Sequence, residues 1–361
     1  MSPHPAATLL DLPAGSPGGS VELFLDLYTG DRPLIPARAF MLGPPDVRHH
    51  LPAGLDLLPV AGKCLEGPAF GRYVAALSEA LSAAIDPARI SVLHLQHLTF
   101  GASPALIRAL PLHPRIALVH GTDLIFAEAH RDQLRVLRET ARAADAIVVP
   151  TGAMADRLLE LAPQTDRRKV TQISWGIPDH LLTDPPPRPP RTTSHLRLLY
   201  AGRLTAEKGA EALVKSLAPV PGVELSIAAP QAQFHALAPL LHRADIRPRY
   251  LGWLRRPHLW KVFAEHDVLV MPSTTLEAMG LVALEAQACG LPVLHQPVPG
   301  LNETLAASGV ATDFTNSAAL ARDLDRLRTS PGLLSELRQA GYANAARYPL
   351  SRAAQALLEL S

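Results

Sequence analysis

Two glutamates, Glu277 and Glu285, carry the strongest chemical signal in the chain. They stand in Pro272-Ser-Thr-Thr-Leu-Glu-Ala-Met-Gly-Leu-Val-Ala-Leu-Glu-Ala-Gln-Ala-Cys-Gly-Leu-Pro-Val293. An apolar run ends at Met271, a loop follows, and a helical pattern opens near Gly280 and closes before Gly290. Gly280 has no side chain, so a ligand can approach the backbone there. The unpaired amides of the first helical turn, aided by the helix dipole, suit a diphosphate. Glu277 lies just outside that helix and Glu285 more than one turn inside it, so the two carboxylates address different hydroxyl-bearing parts of one ligand. Alone, such a pair reads as solvated surface charge. Its surroundings argue otherwise, because Arg203 and Lys208, in Gly202-Arg-Leu-Thr-Ala-Glu-Lys-Gly209, follow the first strand pattern of the same half. Arg forks onto phosphate oxygens and Lys adds a point charge. Two cations, helix amides and a ribose-type carboxylate make a nucleotide-diphosphate site that needs no metal. The stretch is not a P-loop, since GxxxxGK[ST] is absent.

Three loops of the N-terminal half add polar groups. Pro13-Ala-Gly-Ser-Pro-Gly-Gly-Ser20 reads either as a flexible connector or as an anion cradle at a helix start, with Gly18 and Gly19 nearest the helix. In His94-Leu-Gln-His-Leu-Thr-Phe-Gly-Ala-Ser103, strand alternation sends His94 and His97 to opposite faces. One is then a core histidine, and His97 is the better candidate for a ligand-facing role. No third and fourth ligand accompanies them, so a zinc pair is not expected. Val119-His-Gly-Thr-Asp123 puts His120 at a strand tip beside a glycine, where a side chain reaches a reacting centre or merely closes the strand.

The elements that must position these groups are legible as alternating patterns. Short apolar runs at 7–12, 37–42, 90–95, 115–120 and 145–149 predict strands, with helical spacing over 69–85, 123–144 and 152–162. The alternation restarts at 196–201, 223–228, 249–251, 267–271 and 292–295. Such alternation makes parallel sheets covered on both faces. The expected architecture is α/β, with two Rossmann-like domains, residues 1–175 and residues 176–340, and a helical segment 341–361 that can pack on either half, with a return to the N-terminal domain as the first candidate. Ligands bind beyond the carboxyl ends of such strands, so the reacting groups are expected in a cleft between the domains. The run Asp184-Pro-Pro-Pro-Arg-Pro-Pro190 has few amide hydrogens to give and is expected to be an exposed, stiff connector.

Composition removes several function classes. The 361 residues carry a net charge of +1 and are 48% hydrophobic, which is globular and gives no basic face for nucleic acid. The two cysteines, Cys64 and Cys289, are far apart, which argues against a disulfide framework and fits a cytoplasmic location. The first residues lack a basic n-region, and no run approaches the ~20 apolar residues of a membrane span. No integral membrane association is expected, and oligomeric state is not readable.

Taken together, the motifs resemble glycosyltransferase family 4, the retaining enzymes of the GT-B fold. The matching features are E-A-x-G-L-x-x-x-E-A-x-A-x-G-x-P-V at 277–293, G-R-L-x-x-x-K-G at 202–209 and H-G-T-D at 120–123. The resemblance implies that Arg203 and Lys208 hold the donor diphosphate, Glu285 the ribose and Glu277 the sugar near the reacting carbon. It implies backbone contacts from Met279, Gly280 and Leu281 to the distal phosphate or sugar, and places Gly18 and Gly19 beside the donor phosphates. Leu254, in Leu251-Gly-Trp-Leu254, would meet the base, with Trp253 either stacking on it or lying in the core. His120 would contact the donor sugar, and Asp123 would serve the acceptor side. Where family members often carry a glycine-rich turn, this chain has Ala228-Ala-Pro230. The implied reaction retains configuration, needs no cofactor or metal, and lets the leaving phosphate of a UDP-sugar deprotonate a small acceptor.

For the acceptor, 94–103, HGTD and 284–300 look like transferases of aminoglycoside antibiotic pathways, which join a glucosaminyl or glucosyl unit to 2-deoxystreptamine. A cationic aminocyclitol would want carboxylates, for which Asp123 and Glu128 are candidates. The rivals are a nucleotide-sugar epimerase of the same architecture, which the glutamate spacing disfavours, and a non-catalytic scaffold, which the intact Arg203, Lys208 and Glu277 disfavour. An NAD-dependent enzyme would need a GxGxxG between strand and helix, which is absent.

Overall fold

The structure, a computed structural model, describes residues 5–43, 51–190, 195–217 and 220–361. It divides into two units, Met1–Ser174 with Leu350–Ser361, and Trp175–Pro349.

The first unit holds seven described strands: β1 (Ala6–Pro13), β2 (Ala37–Leu42), β3 (Leu55–Leu58), β4 (Val92–Gln96), β5 (Arg115–Leu118), β6 (Ala146–Val149) and β7 (Val170–Gln172). They form one parallel sheet in the order β3-β2-β1-β4-β5-β6-β7. Ala7, Leu9, Leu10, Leu93 and Leu95 are fully buried although neighbours in a strand face opposite sides. Both faces of the sheet are therefore covered, as uninterrupted apolar runs such as Ala146-Ile-Val-Val149 demand. Strand order reverses between β1 and β4, and a crevice at the carboxyl ends of such strands is where doubly wound sheets bind ligands.

The second unit repeats the plan with β8 (Leu196–Ala201), β9 (Val223–Ala228), β10 (Arg249–Tyr250), β11 (Val268–Met271), β12 (Val293–His295) and β13 (Val310–Ala311). Their parallel order is β10-β9-β8-β11-β12-β13, which reverses between β8 and β11. Leu198, Tyr200, Val268 and Val270 pack with Leu213, Val214, Phe314 and Leu320 in its core.

Several elements differ from expectation. β3, β7 and β13 are short additions at or near the sheet edges. The predicted helix 123–144 is two, Thr122–Ala129 and Arg131–Ala143, parted at His130, whose backbone is extended (φ −133°, ψ 109°). The segment 341–361 is split: the helix Pro331–Ala345 lies in the second unit and the helix Leu350–Leu360 in the first. That last helix buries Leu350, Ala353, Ala354 and Leu357. Its end is fixed by Ser361 Oγ, 3.0 Å from His94 Nε2. The proline run forms no helix or strand, yet Arg188 within it donates to the carbonyls of Phe263 (3.0 Å) and Cys289 (3.3 Å). The connector is thus tied to the second unit by one buried-reaching cation. No described helix is long and apolar enough to cross a membrane.

Candidate active site

In the second unit, the residues at the β8/β11 reversal are drawn together by backbone fit. The turn after β8 ends at Gly209, which is left-handed (φ 67°) and sits against β11's exit: a Cβ there would lie 1.8 Å from the Pro272 carbonyl oxygen. A side chain cannot occupy that space, which is why the motif's last position is glycine. Thr274 N–H donates to Glu207 O at 2.9 Å and completes the clamp. Lys208 is thereby carried to Glu277, with which it forms an ion pair. Ser273 Oγ also donates to Glu277 Oε1 at 2.7 Å. Glu277 is 8% exposed, and its own N–H donates to Pro299 O at 3.1 Å. Arg203 extends from the same turn, its guanidinium 4.0 Å from Glu207 and partly exposed. Leu204 N–H is held by the Gln233 side chain at 2.7 Å.

Gly280 caps the helix Leu281–Ala288 in a left-handed conformation (φ 69°). A Cβ on it would stand 2.6 Å from Leu301 Cδ1, so glycine has a local steric reason here as well as any ligand reason. Met279 is buried and Leu281 half-buried, leaving the backbone of this turn as the chemically useful part. Glu285 faces a different set of partners. Arg256 donates to Oε1 from Nε (3.0 Å) and Nη2 (2.6 Å), and Trp260 Nε1 donates to Oε2 at 2.8 Å. A carboxylate offers about four acceptor sites, so three are used and one remains on Oε2. Leu254 is half-buried and Trp253 is 44% exposed, so Trp253 is no core residue. At the departure Ala228-Ala-Pro230, the Ala229 N–H is spent on Gly252 O at 3.0 Å, and the next helix starts at Gln231.

In the first unit, Gly18 caps the helix Gly19–Tyr28, and neither glycine has a neighbour within 4 Å of where a Cβ would lie. His94, within β4, is the core histidine: Tyr28 Oη is 2.8 Å from its Nδ1 and burial holds its pKa down at about 4. His97 lies just past β4, 3% exposed and left-handed (φ 67°). Its ring centroid is 4.5 Å from that of His120. His120 Nε2 is 2.9 Å from Gln96 Oε1, and Gln96 Nε2 in turn donates to Thr8 at 3.0 Å. That chain assigns the imidazole proton to Nε2. Burial lowers the His120 pKa to about 4, so the ring is neutral near pH 7.

Asp123 is wholly buried and accepts from the amides of Leu98 (3.0 Å) and His120 (3.2 Å). Burial pushes its carboxyl up to about 6 against the pull of those amides. Its carboxylate thereby ties the two histidine loops together. Glu128 pairs with Arg157. Among the described residues, no three His, Cys, Asp or Glu side chains gather as a metal-holding group.

Residues 37–181 match the pattern described as Glycosyltransferase Family 4, and residues 188–345 match Glycosyl transferases group 1. Each half of the chain is thus similar to one half of the group 1, family 4 glycosyltransferase family. The fold is that family's GT-B fold. Over 99% of this chain and 98% of the other, it superposes on sucrose-phosphate synthase from Thermosynechococcus elongatus with a TM-score of 0.79 at 19% identity. Anabaena HepE in complex with UDP-glucose gives 0.76 at 18% identity, covering 99% of both chains. Among curated relatives, the D-inositol 3-phosphate glycosyltransferase of Xylanimonas cellulosilytica is 29% identical over 68% of this chain and 64% of its own. The chain thus spans a little under two thirds of that relative's length.

Several residues around these candidate groups escaped sequence reading. Gln233, Arg256 and Trp260 act from helices whose apolar spacing gave them no separate signal. Asp11 and Lys63, in the first unit, are likewise single polar residues without a motif. Asp11 is 1% exposed, pairs with Lys63 at 3.2 Å and accepts from Gly101 N–H at 2.9 Å.

Proposed function

We propose that the chain is a retaining glycosyltransferase that moves a hexosyl unit from a UDP-sugar to a small hydroxylated acceptor. The observation that carries the donor half is the Lys208–Glu277 pair, clamped by the turn that also bears Arg203 and lying just ahead of the helix Leu281–Ala288. A diphosphate leaving group gathers negative charge as the glycosidic bond breaks. Preorganised cations and amides stabilise that charge without solvent reorganisation. Arg203 and Lys208 supply two positive charges, which is why this reading requires no divalent metal. Glu277, held by Lys208 and Ser273, is oriented to accept from sugar hydroxyls, and the remaining lone pair of Glu285 Oε2 from a ribose hydroxyl. In the first unit, neutral His120 offers a hydrogen-bonding group to a substrate. Complexes of HepE with UDP-glucose support a uridine donor by analogy. N-acetylglucosamine and glucose are the first sugars to test.

For the acceptor, the name of the relatives points to an inositol phosphate, while 2-deoxystreptamine was suggested by segments around HGTD. The carboxylates a cationic aminocyclitol would want are engaged elsewhere, Asp123 by amides and Glu128 by Arg157. A hydroxyl-bearing acceptor without a required cation is the better reading. The test is product formation from UDP-glucose and UDP-N-acetylglucosamine in the presence of EDTA, followed by NMR of the new anomeric centre. An α-linked product from the α-linked donor is expected. A β-linked product, or a strict need for added metal, would overturn the retaining, metal-independent reading.

A further inference from the structure

Resting on that reading, we propose that Arg188 is a positioning residue of the donor site. By bridging the C-terminal ends of two helices, it keeps Glu285 aimed at the ribose of a uridine diphosphate. Arg188 is the one residue between Pro185 and Pro190 that is not proline. Prolines fix their own φ and restrict the residue before them, so this arginine projects from a stiff backbone.

Its guanidinium donates to three carbonyls. Nη1 meets Phe263 O at 3.0 Å and Cys289 O at 3.3 Å, and Nη2 meets His266 O at 2.5 Å. Phe263 and His266 stand at the end of the helix Arg256–Glu265, and Cys289 at the end of the helix Leu281–Ala288. The last carbonyls of a helix lack partners within it and carry the negative end of its dipole, so a cation is favoured there. Lysine would bring a single point of charge, whereas the planar fork of arginine spans both helix ends at once.

Three observations separate this bridge from an ordinary surface contact. Burial, and then the nearby Arg338 charge, lower the Arg188 pKa to about 10, so the group is still a cation near pH 7 although its surroundings disfavour one. Gly290, next to Cys289, is left-handed (φ 69°). A Cβ there would stand 3.0 Å from Arg188 Cδ and 2.1 Å from Tyr342 Oη, so glycine leaves the room that the arginine stem occupies. Finally, the two helices that Arg188 joins are the two that share Glu285. The carboxylate comes from the helix Leu281–Ala288, and its donors Arg256 and Trp260 come from the helix Arg256–Glu265. The aim of Glu285 therefore depends on how these helices are spaced, and Arg188 sets that spacing from the far end of the helix Arg256–Glu265. Arg203 and Lys208 come from the turn after β8 and do not act through this bridge. Loss of Arg188 should thus weaken recognition of the ribose hydroxyls and spare the diphosphate contacts.

The experiment titrates UDP and dideoxyuridine diphosphate, which lacks both ribose hydroxyls, into the full chain as wild type, Arg188→Met and Arg188→Lys. Wild type should prefer UDP about tenfold or more, as hydrogen bonds to a carboxylate imply. Arg188→Met, which keeps the apolar stem, should bind UDP about fivefold or more weakly while its affinity for the dideoxy compound stays within about twofold of wild type. Arg188→Lys should show an intermediate preference, because one ammonium does not span two helix ends, and it decides the matter if Arg188→Met does not fold. An equal loss for both nucleotides in Arg188→Met would reduce the arginine to fold support and overturn the inference. A wild-type preference retained in either variant would overturn it as well. Wild type that binds UDP without preferring it would remove the ribose role of Glu285, and this inference with it, while leaving the diphosphate site intact. Wild type that binds neither compound would remove the parent reading itself.

Discussion

At the residue scale, the proposed donor chemistry rests on two carboxylates that the fold gives different partners. Glu277 is matched to Lys208 and Ser273, whereas Glu285 is matched to Arg256 and Trp260. Glu277→Gln keeps the size but loses the charge that aligns Lys208, and the account expects kcat to fall by about 10²–10³-fold. Steady-state kinetics with a melting curve would check it, the melting temperature changing little because Lys208 stays partly hydrated. Trp260→Phe removes one donor from Glu285, a charge-assisted bond of about 1.5–3 kcal/mol. Donor KM should rise and kcat should hold; a fall in kcat with unchanged KM would place Glu285 elsewhere in the reaction. The two glutamates, Arg203 and Lys208 were legible in sequence because a motif fixes their spacing. Arg256 and Trp260 were not, because hydrogen bonds made across a helix pair leave no local pattern.

Elements bring these residues together, and glycine and histidine show how. Gly209→Ala forces a side chain into a left-handed turn against the Pro272 carbonyl, a strain of about 1–3 kcal/mol before any clash is relieved. Lower thermal stability and weaker donor binding should appear together, since the same turn carries Lys208. In the first unit, burial lowers the pKa values of His94 and His120 to about 4, and that of His97 well below its ordinary value. Groups depressed in the folded state favour folding fully above the unfolded value of about 6.5. That contribution is lost as the pH falls towards 4. Asp123, raised to about 6, works in the opposite sense, its stabilising share being present at low pH and lost as pH rises towards 6. Burial raises the Asp11 carboxyl in the same sense, but three histidines outweigh two aspartates, so stability should decline as pH drops from about 6.5 to 4, as a pH series of melting curves would show. His94→Gln should flatten that decline.

Sequence periodicity found the long apolar strands, since both of their faces are buried. It missed β3, β7 and β13, which have four, three and two residues and half-exposed positions, too short to set a period. It also ran two helices together at 123–144, because apolar spacing continues through His130 while the backbone does not.

At the scale of the whole molecule, one plan is used twice: a parallel sheet whose strand order reverses once, with reactive side chains gathered at the reversal. That plan was legible because strand-helix alternation runs through both halves. The membership of residues 350–361 in the first unit was not, since an amphipathic helix carries no mark of which sheet it covers. Nor did spacing distinguish the role of Asp123, whose position at a helix start suits an acceptor ligand as well as a loop anchor.

The central claim is that the second unit holds a nucleotide-sugar diphosphate on Arg203, Lys208 and the amides after Gly280. The measurement that tests it most directly is calorimetric titration of UDP-glucose and UDP-N-acetylglucosamine, with EDTA present, into wild type and Lys208→Ala. Wild type should bind saturably, and Lys208→Ala should lose about tenfold or more in affinity, in proportion to a removed phosphate contact. Equal affinity in the two proteins, or no binding of either nucleotide sugar to wild type, would contradict it.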